Sequence, residues 1–412
     1  MNRLNVQKEA LIQKLFFIFE TSEFDEFDNP YPFDPRIYVN GHCFEVGYRY
    51  SQLKYLGDGA FGKVVSAYDS ITGRYVAIKK IQLPSENRLY WTRTLRELCI
   101  LHAVEHDNAV RLLNCFTNAK SAENMEDVYF VFNLMDMDLH EIIKQHRKEG
   151  NTLTPQHVQF LMYQLVRGVK FIHSANIMHR DLKPSNIFVT KQCDLRLGDF
   201  GLARIPEADD GQMTEYVATR WYRAPELMLA GGHYDRSADM WSVGCIFGEL
   251  LRGQPLFPGT HYANQLDLIF QGIGYPKDPQ QDLKWLPEKA KNYVIKRYQK
   301  CKTSLTETFN FTKPATTSVN KATTLDVLAI DLLEKMLQFT PSKRISADDA
   351  IRHPYFGIYR DFEDEPTSTH EFKLDLNRFS LYELKELLFK KVSHIGDELG
   401  RRLINGDPAL NM

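Results

Sequence analysis

The stretch that decides the fold is Leu56-Gly57-Asp58-Gly59-Ala60-Phe61-Gly62-Lys63-Val64-Val65, a Gly-x-Gly-x-x-Gly pattern followed at once by β-branched residues. Dinucleotide-binding folds share this glycine spacing, but there a helix follows it. Here residues 70–73 favour a turn, and Tyr75-Val76-Ala77-Ile78-Lys79-Lys80-Ile81 predicts a second strand. The predicted arrangement is strand, glycine turn, strand, in which glycines let the backbone approach a phosphate without an intervening Cβ.

A lysine on the second predicted strand is the first candidate for chemistry. Strand periodicity places Ala77 and Lys79 on one face, and the apolar neighbours make a freely solvated lysine the weaker interpretation. The next segment has leucines at helical spacing and carries Glu97, an acid able to pair with Lys79. The sequence therefore predicts that Lys79 faces a cleft with Glu97 as its partner.

Two polar motifs follow a long predicted helix, which Thr154-Pro155 should cap and begin. They are His179-Arg180-Asp181-Leu182-Lys183-Pro184-Ser185-Asn186 and, after a short strand pair, Asp199-Phe200-Gly201. Phosphoryl transfer requires mainly positioning and charge neutralisation, together with an acceptor for the hydroxyl proton and oxygen ligands for magnesium. A single carboxylate could be an ordinary surface acid, but the motifs in this order favour phosphoryl transfer.

The segment Met213-Thr214-Glu215-Tyr216 predicts a switch. Its threonine and tyrosine can both accept phosphate, and each phosphate adds about −1.5 to −2 charges. Arg220 and Arg223 follow shortly after, and the planar guanidinium group is well suited to binding phosphate. We therefore predict a loop that becomes ordered when phosphorylated, in preference to a loop that contains these residues by chance.

The composition is that of a soluble globular chain. The 412 residues are 43% apolar and 25% charged, with a net charge of −2, which disfavours nucleic acid and anionic membranes as partners. The six cysteines have no C-x-x-C spacing, so neither a zinc site nor a disulfide framework is predicted. A reducing, cytoplasmic location is expected, with shuttling to the nucleus left open.

Together these motifs resemble a eukaryotic protein kinase over about residues 50–356, because Ala224-Pro225-Glu226 lies where a kinase activation segment stops. Thr214-Glu215-Tyr216 makes the chain similar to mitogen-activated protein kinases of the extracellular-signal-regulated type. The resemblance implies an α+β, bilobal fold. Its parts would be an N-terminal extension (1–46), a small β-rich lobe (47–135), a large mostly α lobe (136–356) with an insert at about 253–324, and a C-terminal extension (357–412) packing back on the kinase. For the N-terminal extension, packing on the body or disorder is favoured over a docking arm.

The resemblance also implies the use of ATP and Mg²⁺ and assigns a role to each matching residue. The catalytic residues would be Asp181 as proton acceptor, Lys183 beside the moving phosphoryl group, and Lys79 on the phosphates, steadied by Glu97. The magnesium ligands would be Asn186 and Asp199. The nucleotide would contact Leu56, Gly57, Gly59, Gly62, Val64, Ala77, Lys79, Leu134, Met135, Asp138 and Phe188, with Asp138 on the ribose.

Regulation and docking are implied in the same way. Phosphorylated Thr214 would be bound by Arg96, Arg180 and Arg204, and phosphorylated Tyr216 by Arg220 and Arg223, while Glu226 would pair with Arg344. Asp361 and Asp364 would form an acidic docking patch, although a solvated loop is the alternative. Leu229, Tyr262, Leu266 and Tyr293 would form a second docking pocket, which the small Ala263 leaves in question. Expected partners are an upstream dual-specificity kinase, substrates with Ser/Thr-Pro sites, and phosphatases and scaffolds bound through the acidic patch.

Two other functions compete with an active kinase of this type. A catalytically weak docking scaffold would tolerate loss of the lysine, the proton acceptor or the metal ligands, but all of these residues are present. A cyclin-dependent-like kinase, activated by a bound subunit, usually lacks the second phosphate acceptor, so Tyr216 argues against it.

Overall fold

The computed structural model describes residues 36–59, 62–149, 153–205, 220–230, 234–301, 303–309, 324–407 and 410. The described chain forms two compact units. The first, here the β unit, contains residues up to 136 together with 199–203 and 372 onward; the second, the helical unit, contains 137–198 and 204–371. Residues 1–35 and the phosphate acceptors Thr214 and Tyr216 lie outside the described residues.

The strands of the β unit are β1 (Arg36–Val39), β2 (His42–Glu45), β3 (Tyr50–Gly59), β4 (Gly62–Asp69), β5 (Arg74–Gln82), β6 (Leu112–Phe116) and β7 (Asp127–Asn133). β1 and β2 form a separate hairpin, and the other strands form a five-stranded antiparallel sheet with the order β3-β4-β5-β7-β6. Two helices accompany this sheet, the Glu97 helix (Arg88–Ala103) and the C-terminal helix (Leu381–Ile404). The predicted strand, glycine turn and strand are present as β3 and β4, and Lys79 lies on β5.

The helical unit surrounds a central helix, Pro155–Ser174, which begins as predicted. Thr154 accepts a hydrogen bond from the His157 backbone, and Pro155 occupies the first helical turn, where its missing N–H costs nothing. The side chains from His157 to His173 are buried, so this helix is the core of the unit. The other helices are Leu139–Glu149, Pro225–Leu229, Arg236–Arg252, Tyr262–Ile273, Pro279–Asp282, Glu288–Tyr298, Leu305–Phe309, Thr324–Met336 and Ala347–Ile351, and a small sheet joins β8 (Met137–Asp138), β9 (Ile187–Val189) and β10 (Leu195–Leu197).

A second buried helix, Arg236–Arg252, begins four residues before its apolar stretch, which starts at Met240. The reason is a cap: the Asp235 side chain accepts a hydrogen bond from the Ser237 backbone, which adds a polar first turn. At the other end Gly253 adopts a positive φ of 70°, a conformation that favours glycine and ends the helix.

A β-rich unit followed along the chain by a mostly helical one confirms the predicted α+β class. Within the ranges that the structure describes, no helix combines the length and apolar character needed to cross a membrane.

Candidate active site

The predicted ion pair of Lys79 is present in the β unit and includes a third residue. Lys79 Nζ lies 2.6 Å from Glu97 Oε1 and 3.3 Å from Asp199 Oδ1. Burial alone would lower the pKa of Lys79, but the two carboxylates outweigh it and raise the pKa above its ordinary value. Lys79 is therefore a fixed positive charge held between two acids, an arrangement suited to phosphate oxygens.

Asp199 is held in an uncommon backbone conformation. Its φ of 56° places it in the left-handed region, which non-glycine residues rarely occupy and which is often found at functional sites. A 3₁₀ turn, Phe200–Leu202, follows directly, with Phe200 almost fully buried. The buried phenyl ring anchors the turn, while the Asp199 side chain stays 21% exposed and accessible to a cation.

Two of the glycines in the β3–β4 hairpin, Gly62 and Gly57, differ in what surrounds them. At Gly62, an added Cβ would lie closer than 3.0 Å to the Lys80 carbonyl, so the packing of the chain itself requires glycine there. At Gly57, nothing lies within 4 Å of an added Cβ and φ is not positive, so the chain does not require glycine at this position. Gly57 therefore leaves open space next to the backbone, on the same sheet as Lys79. A phosphate group could occupy this space, so the site fits a nucleotide.

The apolar residues predicted to contact the nucleotide base lie on the same sheet or next to it, and none is fully buried. Leu56 is 47% exposed, and Val64, Ala77, Leu134 and Met135 are partly exposed, whereas core neighbours such as Val65 and Ile78 are inaccessible. Partly exposed apolar side chains beside an open backbone suit a flat apolar ligand.

Two other predicted nucleotide contacts, Asp138 and Phe188, lie in the helical unit as directly paired residues of β8 and β9. Asp138 Oδ1 accepts a hydrogen bond of 2.8 Å from the Glu141 backbone, so this side chain caps the following helix. Burial raises the pKa of Asp138. The contact of Asp138 with the ribose stays a prediction. It would require the carboxylate to bind the ribose while it accepts the hydrogen bond from the Glu141 backbone.

The predicted proton acceptor, Asp181, is held by its own loop. Lys183 Nζ donates to Asp181 Oδ2 over 2.8 Å, and Asn186 Nδ2 donates to both the backbone oxygen and Oδ2 of Asp181, each over 2.8 Å. Because the Asn186 NH₂ group is used inside the loop, its amide oxygen is the atom left to bind a ligand. Oxygen is the donor that Mg²⁺ prefers, so Asn186 fits the role of a metal ligand.

Sequence reasoning missed Asp239, the residue that positions this loop. Its two carboxylate oxygens accept hydrogen bonds from the backbone N–H groups of His179 (2.8 Å) and Arg180 (2.9 Å), and it also contacts His173 Nε2 (2.9 Å) and Tyr234 Oη (2.7 Å). Arg180 has a positive φ of 69°, which these bonds stabilise. The signal in the sequence was an acid at the start of a largely apolar, buried helix.

Hydrogen bonds keep the pKa of Asp239 low in a fully buried position. Burial alone would raise this pKa, but the bonds from His173 and Tyr234 outweigh it and lower it below the ordinary carboxyl value of 3.8. The buried carboxylate is therefore ionised at neutral pH and rigidly holds the backbone that precedes Asp181.

The arginines predicted to bind phosphorylated Thr214 are divided between the units. Arg180 and Arg204 lie close together in the helical unit, because paired backbone bonds (2.8 and 3.0 Å) join Arg204 to Met178. Arg96 lies on the Glu97 helix of the β unit and is only 2% exposed. Since Thr214 lies outside the described residues, its contact with these arginines stays a prediction.

The arginines predicted to bind phosphorylated Tyr216 lie on one short turn, Arg220–Tyr222, and just after it. Arg220 is exposed and donates Nη1 to the Thr260 carbonyl over 3.1 Å, while Arg223 is partly buried. Tyr216 is also outside the described residues, so this pairing stays a prediction as well.

Comparison with known proteins agrees with this geometry. Residues 50–356 match the protein kinase domain. The chain is 43% identical over 357 residues to a protein named Mitogen-activated protein kinase 4a from Physcomitrium patens, an alignment that covers 86% of this chain and 90% of the relative. The chain belongs to the mitogen-activated protein kinase family. It is a protein serine/threonine kinase, a phosphotransferase of a signalling cascade, and the predicted bilobal kinase fold is confirmed.

The predicted ion pair between Glu226 and Arg344 is present in the helical unit of this kinase. Arg344 Nη1 and Nη2 donate to the two carboxylate oxygens of Glu226 over 2.6 and 3.0 Å, and both side chains are buried. The same guanidinium also donates to the backbone oxygens of Ser237 and Gln338. This two-pronged geometry is one that lysine cannot reproduce.

Breaking this pair should strongly destabilise the kinase. Replacing Glu226 by glutamine leaves the buried Arg344 charge uncompensated, so we expect the free energy of unfolding to fall by about 3–5 kcal/mol. Denaturant unfolding of purified variants measures this. The matched control is Asp348→Asn, which breaks the exposed pair with Arg352 (2.6 Å) and should change stability by less than about 0.5 kcal/mol. Equal effects of the two substitutions would contradict the argument.

In the predicted acidic docking patch, one of the two acids is already paired. Arg167 donates to Asp364 Oδ1 over 2.8 Å and also to the Asp364 carbonyl, and the carboxylate is 34% exposed. Asp361 caps a short turn through the Glu363 backbone (3.1 Å). The patch therefore presents less free charge than its sequence indicates.

The second predicted docking pocket centres on the helix Tyr262–Ile273. Tyr262 is 42% exposed and donates its hydroxyl to the Leu227 carbonyl over 3.3 Å, Tyr293 is 38% exposed, and Leu266 is buried. Leu229 is partly exposed on the short helix that packs against this one. Exposed aromatic rings are available here, but binding of a partner stays a prediction.

Proposed function

We propose that this kinase is activated by phosphorylation of both Thr214 and Tyr216 and then phosphorylates serine or threonine followed by proline in protein substrates. The observation that carries catalytic competence is the pair of ordered charge groups, Lys79 with Glu97 and Asp199, and Asp181 with Lys183 and Asn186. A protein that only docks partners does not require either group of charged side chains to be held in hydrogen-bond geometry.

Each group has a defined task in the transfer. Lys79 would hold the phosphates of ATP, and Asp181 would accept the proton of the substrate hydroxyl. The hydroxyl oxygen would attack the γ-phosphorus while the bond between that phosphorus and the bridging oxygen breaks, so that ADP leaves. Lys183 would offset the charge of the transferring group. Magnesium, with Asn186 and Asp199 as oxygen ligands, would supply charge neutralisation on the phosphates.

The requirement for two phosphates follows from magnitudes. Moving a two-state segment from 1:99 to 99:1 takes about 5.5 kcal/mol. One phosphate among arginines forms one to three charge-assisted bonds, each worth about 1.5–3 kcal/mol before solvent exposure reduces it. A single phosphate would often fall short, and two would suffice.

Single acceptor variants should therefore stay mostly inactive. We expect Thr214→Ala and Tyr216→Phe each to retain only a small fraction of the activity of the doubly phosphorylated kinase. The assay is radiolabel transfer to a Ser-Pro peptide after treatment with an activating dual-specificity kinase, with phosphate occupancy determined by mass spectrometry. Full activity of either variant would refute the additive scheme, and a Ser-Ala peptide is the control for the proposed preference.

We also propose that upstream kinases, substrates, phosphatases and scaffolds contact the acidic patch at Asp361 and Asp364, and that the kinase acts in the cytoplasm. Charge supports the first part, because the patch would attract basic peptides even with Asp364 partly neutralised. A docking scaffold remains the second candidate, favoured only if the doubly phosphorylated wild type transfers no label.

A further inference from the structure

The C-terminal helix packs lengthwise on the Glu97 helix and on β6. Its buried residues recur every three or four positions, which gives one continuous apolar face. They are Leu384, Leu388, Val392, Ile395, Leu399 and Leu403. Each fully buried aliphatic side chain of this kind contributes about 1.5–3 kcal/mol, so the two helices are firmly joined.

Polar contacts fix the start of the Glu97 helix to the segment before the C-terminal helix. Arg88, the first residue of the Glu97 helix, donates Nη2 to the backbone oxygens of Leu376 (3.0 Å), Asn377 (3.1 Å) and Phe379 (2.9 Å). A delocalised guanidinium suits three carbonyl dipoles that converge on one point. Three backbone carbonyls that lie almost 300 positions further along the chain thus accept from one side chain.

Further contacts between side chains lie along the helix pair toward its other end. Lys385 Nζ lies 5.3 Å from the centre of the Trp91 ring, and His102 Nε2 lies 3.5 Å from Glu398. Just past the end of the Glu97 helix, Arg402 Nη1 donates to Glu105 over 2.7 Å. The Glu97 helix is therefore held at its start and its end, and Glu97 lies between these points.

A glycine sets the depth at which the C-terminal helix packs. An added Cβ at Gly396 would lie closer than 3.0 Å to the Cys115 carbonyl on β6, so helix and strand are in direct backbone contact. The Cys115 thiol also donates to the Val392 carbonyl over 3.4 Å. Gly400, one turn further on the same helix, has nothing within 4 Å of an added Cβ.

We propose that Arg88 and Gly396 are positioning residues for phosphoryl transfer: through them the C-terminal helix holds the Glu97 helix at the place where Glu97 reaches Lys79. A helix moves nearly as a rigid rod, so a shift at Arg88 is passed to Glu97 within the same helix. The hydrogen bond to Lys79 is only 2.6 Å long, and a small displacement would weaken it. This inference rests on the proposed roles of Lys79 and Glu97.

The test compares Gly396→Ala with Gly400→Ala in the full chain, phosphorylated on both acceptors. Both substitutions place alanine in the same helix and raise its helix propensity equally, so only the backbone contact with β6 distinguishes them. We expect Gly396→Ala to lower kcat/KM about tenfold, within the usual range for coupled sites, and Gly400→Ala to leave it unchanged. Equal activity of the two variants would overturn the proposal.

A second background separates positioning from general loss of structure. In a Glu97→Gln kinase the carboxylate that the helix positions is already absent, so adding Gly396→Ala should lower kcat/KM by less than about twofold. A tenfold loss in both backgrounds would overturn the proposal and indicate a merely structural role. If Glu97→Gln alone had no effect, the proposed role of Glu97 would fail instead, so the two failures are distinguishable.

Arg88 provides an independent check if Gly396→Ala does not fold. Arg88→Ala removes the contact without creating a clash at this half-buried position, and we expect the same pattern of loss in the two backgrounds. Arg88→Lys keeps a cation near the three carbonyls and should recover part of the activity. Activity of Arg88→Ala equal to wild type would overturn the proposal.

Discussion

Replacing Asp181 by asparagine should lower kcat by about 10²–10⁴-fold, the usual contribution of a general base. Asparagine preserves the shape of the side chain but cannot accept the proton of the substrate hydroxyl. The loop should keep its structure, because the backbone oxygen of residue 181 still accepts the bond from Asn186. Radiolabel transfer by the doubly phosphorylated enzyme, at saturating ATP and peptide, measures the loss.

The control is Asp348→Asn, the same chemical change at an exposed pair outside the site. Its kcat should match that of the wild type. If Asp181→Asn retained more than about a tenth of wild-type kcat while Asp348→Asn behaved normally, Asp181 would not be the proton acceptor.

Replacing Asp239 by asparagine should impair both folding and catalysis. One carboxylate oxygen accepts from His179 and the other from Arg180, and an amide would turn an N–H donor toward one of these backbone donors. Leaving a fully buried donor without an acceptor, together with the loss of a buried charge, should lower the free energy of unfolding by about 3–5 kcal/mol. Denaturant unfolding measures the loss, and kcat should fall because the backbone before Asp181 loses its support.

The effect of Asp239 also has a defined pH dependence. Its folded-state pKa lies below the ordinary value of 3.8, so ionised Asp239 contributes stability above that value, and the contribution is lost as the pH falls through the folded-state pKa. The stability difference between wild type and Asp239→Asn should be constant near neutral pH and should shrink below about pH 4. A difference that grows on acidification would contradict this assignment.

The sequence was sufficient where the signal is local. The sequence pattern predicted a strand that carries Lys79, and leucines at helical spacing predicted the helix that carries Glu97. The predicted pairing of these two residues is confirmed by the 2.6 Å contact between Lys79 Nζ and Glu97 Oε1. Thr154 and Pro155 predicted the start of the central helix because capping depends only on neighbouring residues.

The sequence was insufficient where pairing joins distant residues. Arg167 and Asp364 lie 197 positions apart, and nothing in the local pattern indicates that one neutralises the other. Asp239 was missed because its importance comes from complete burial beside two backbone donors 60 and 59 positions away. The packing depth at Gly396 is likewise set by a carbonyl on a separate strand.

The most direct test of the central claim is calorimetric titration of the full, folded kinase with ATP in the presence of Mg²⁺, in both phosphorylation states. Wild type should bind one nucleotide per chain, and Lys79→Met should bind it more weakly, because a fixed cation held by Glu97 and Asp199 is lost. If the wild type bound no measurable ATP in both the unphosphorylated and the doubly phosphorylated state, the assignment of Lys79, Asp181, Asn186 and Asp199 to phosphoryl transfer would be contradicted.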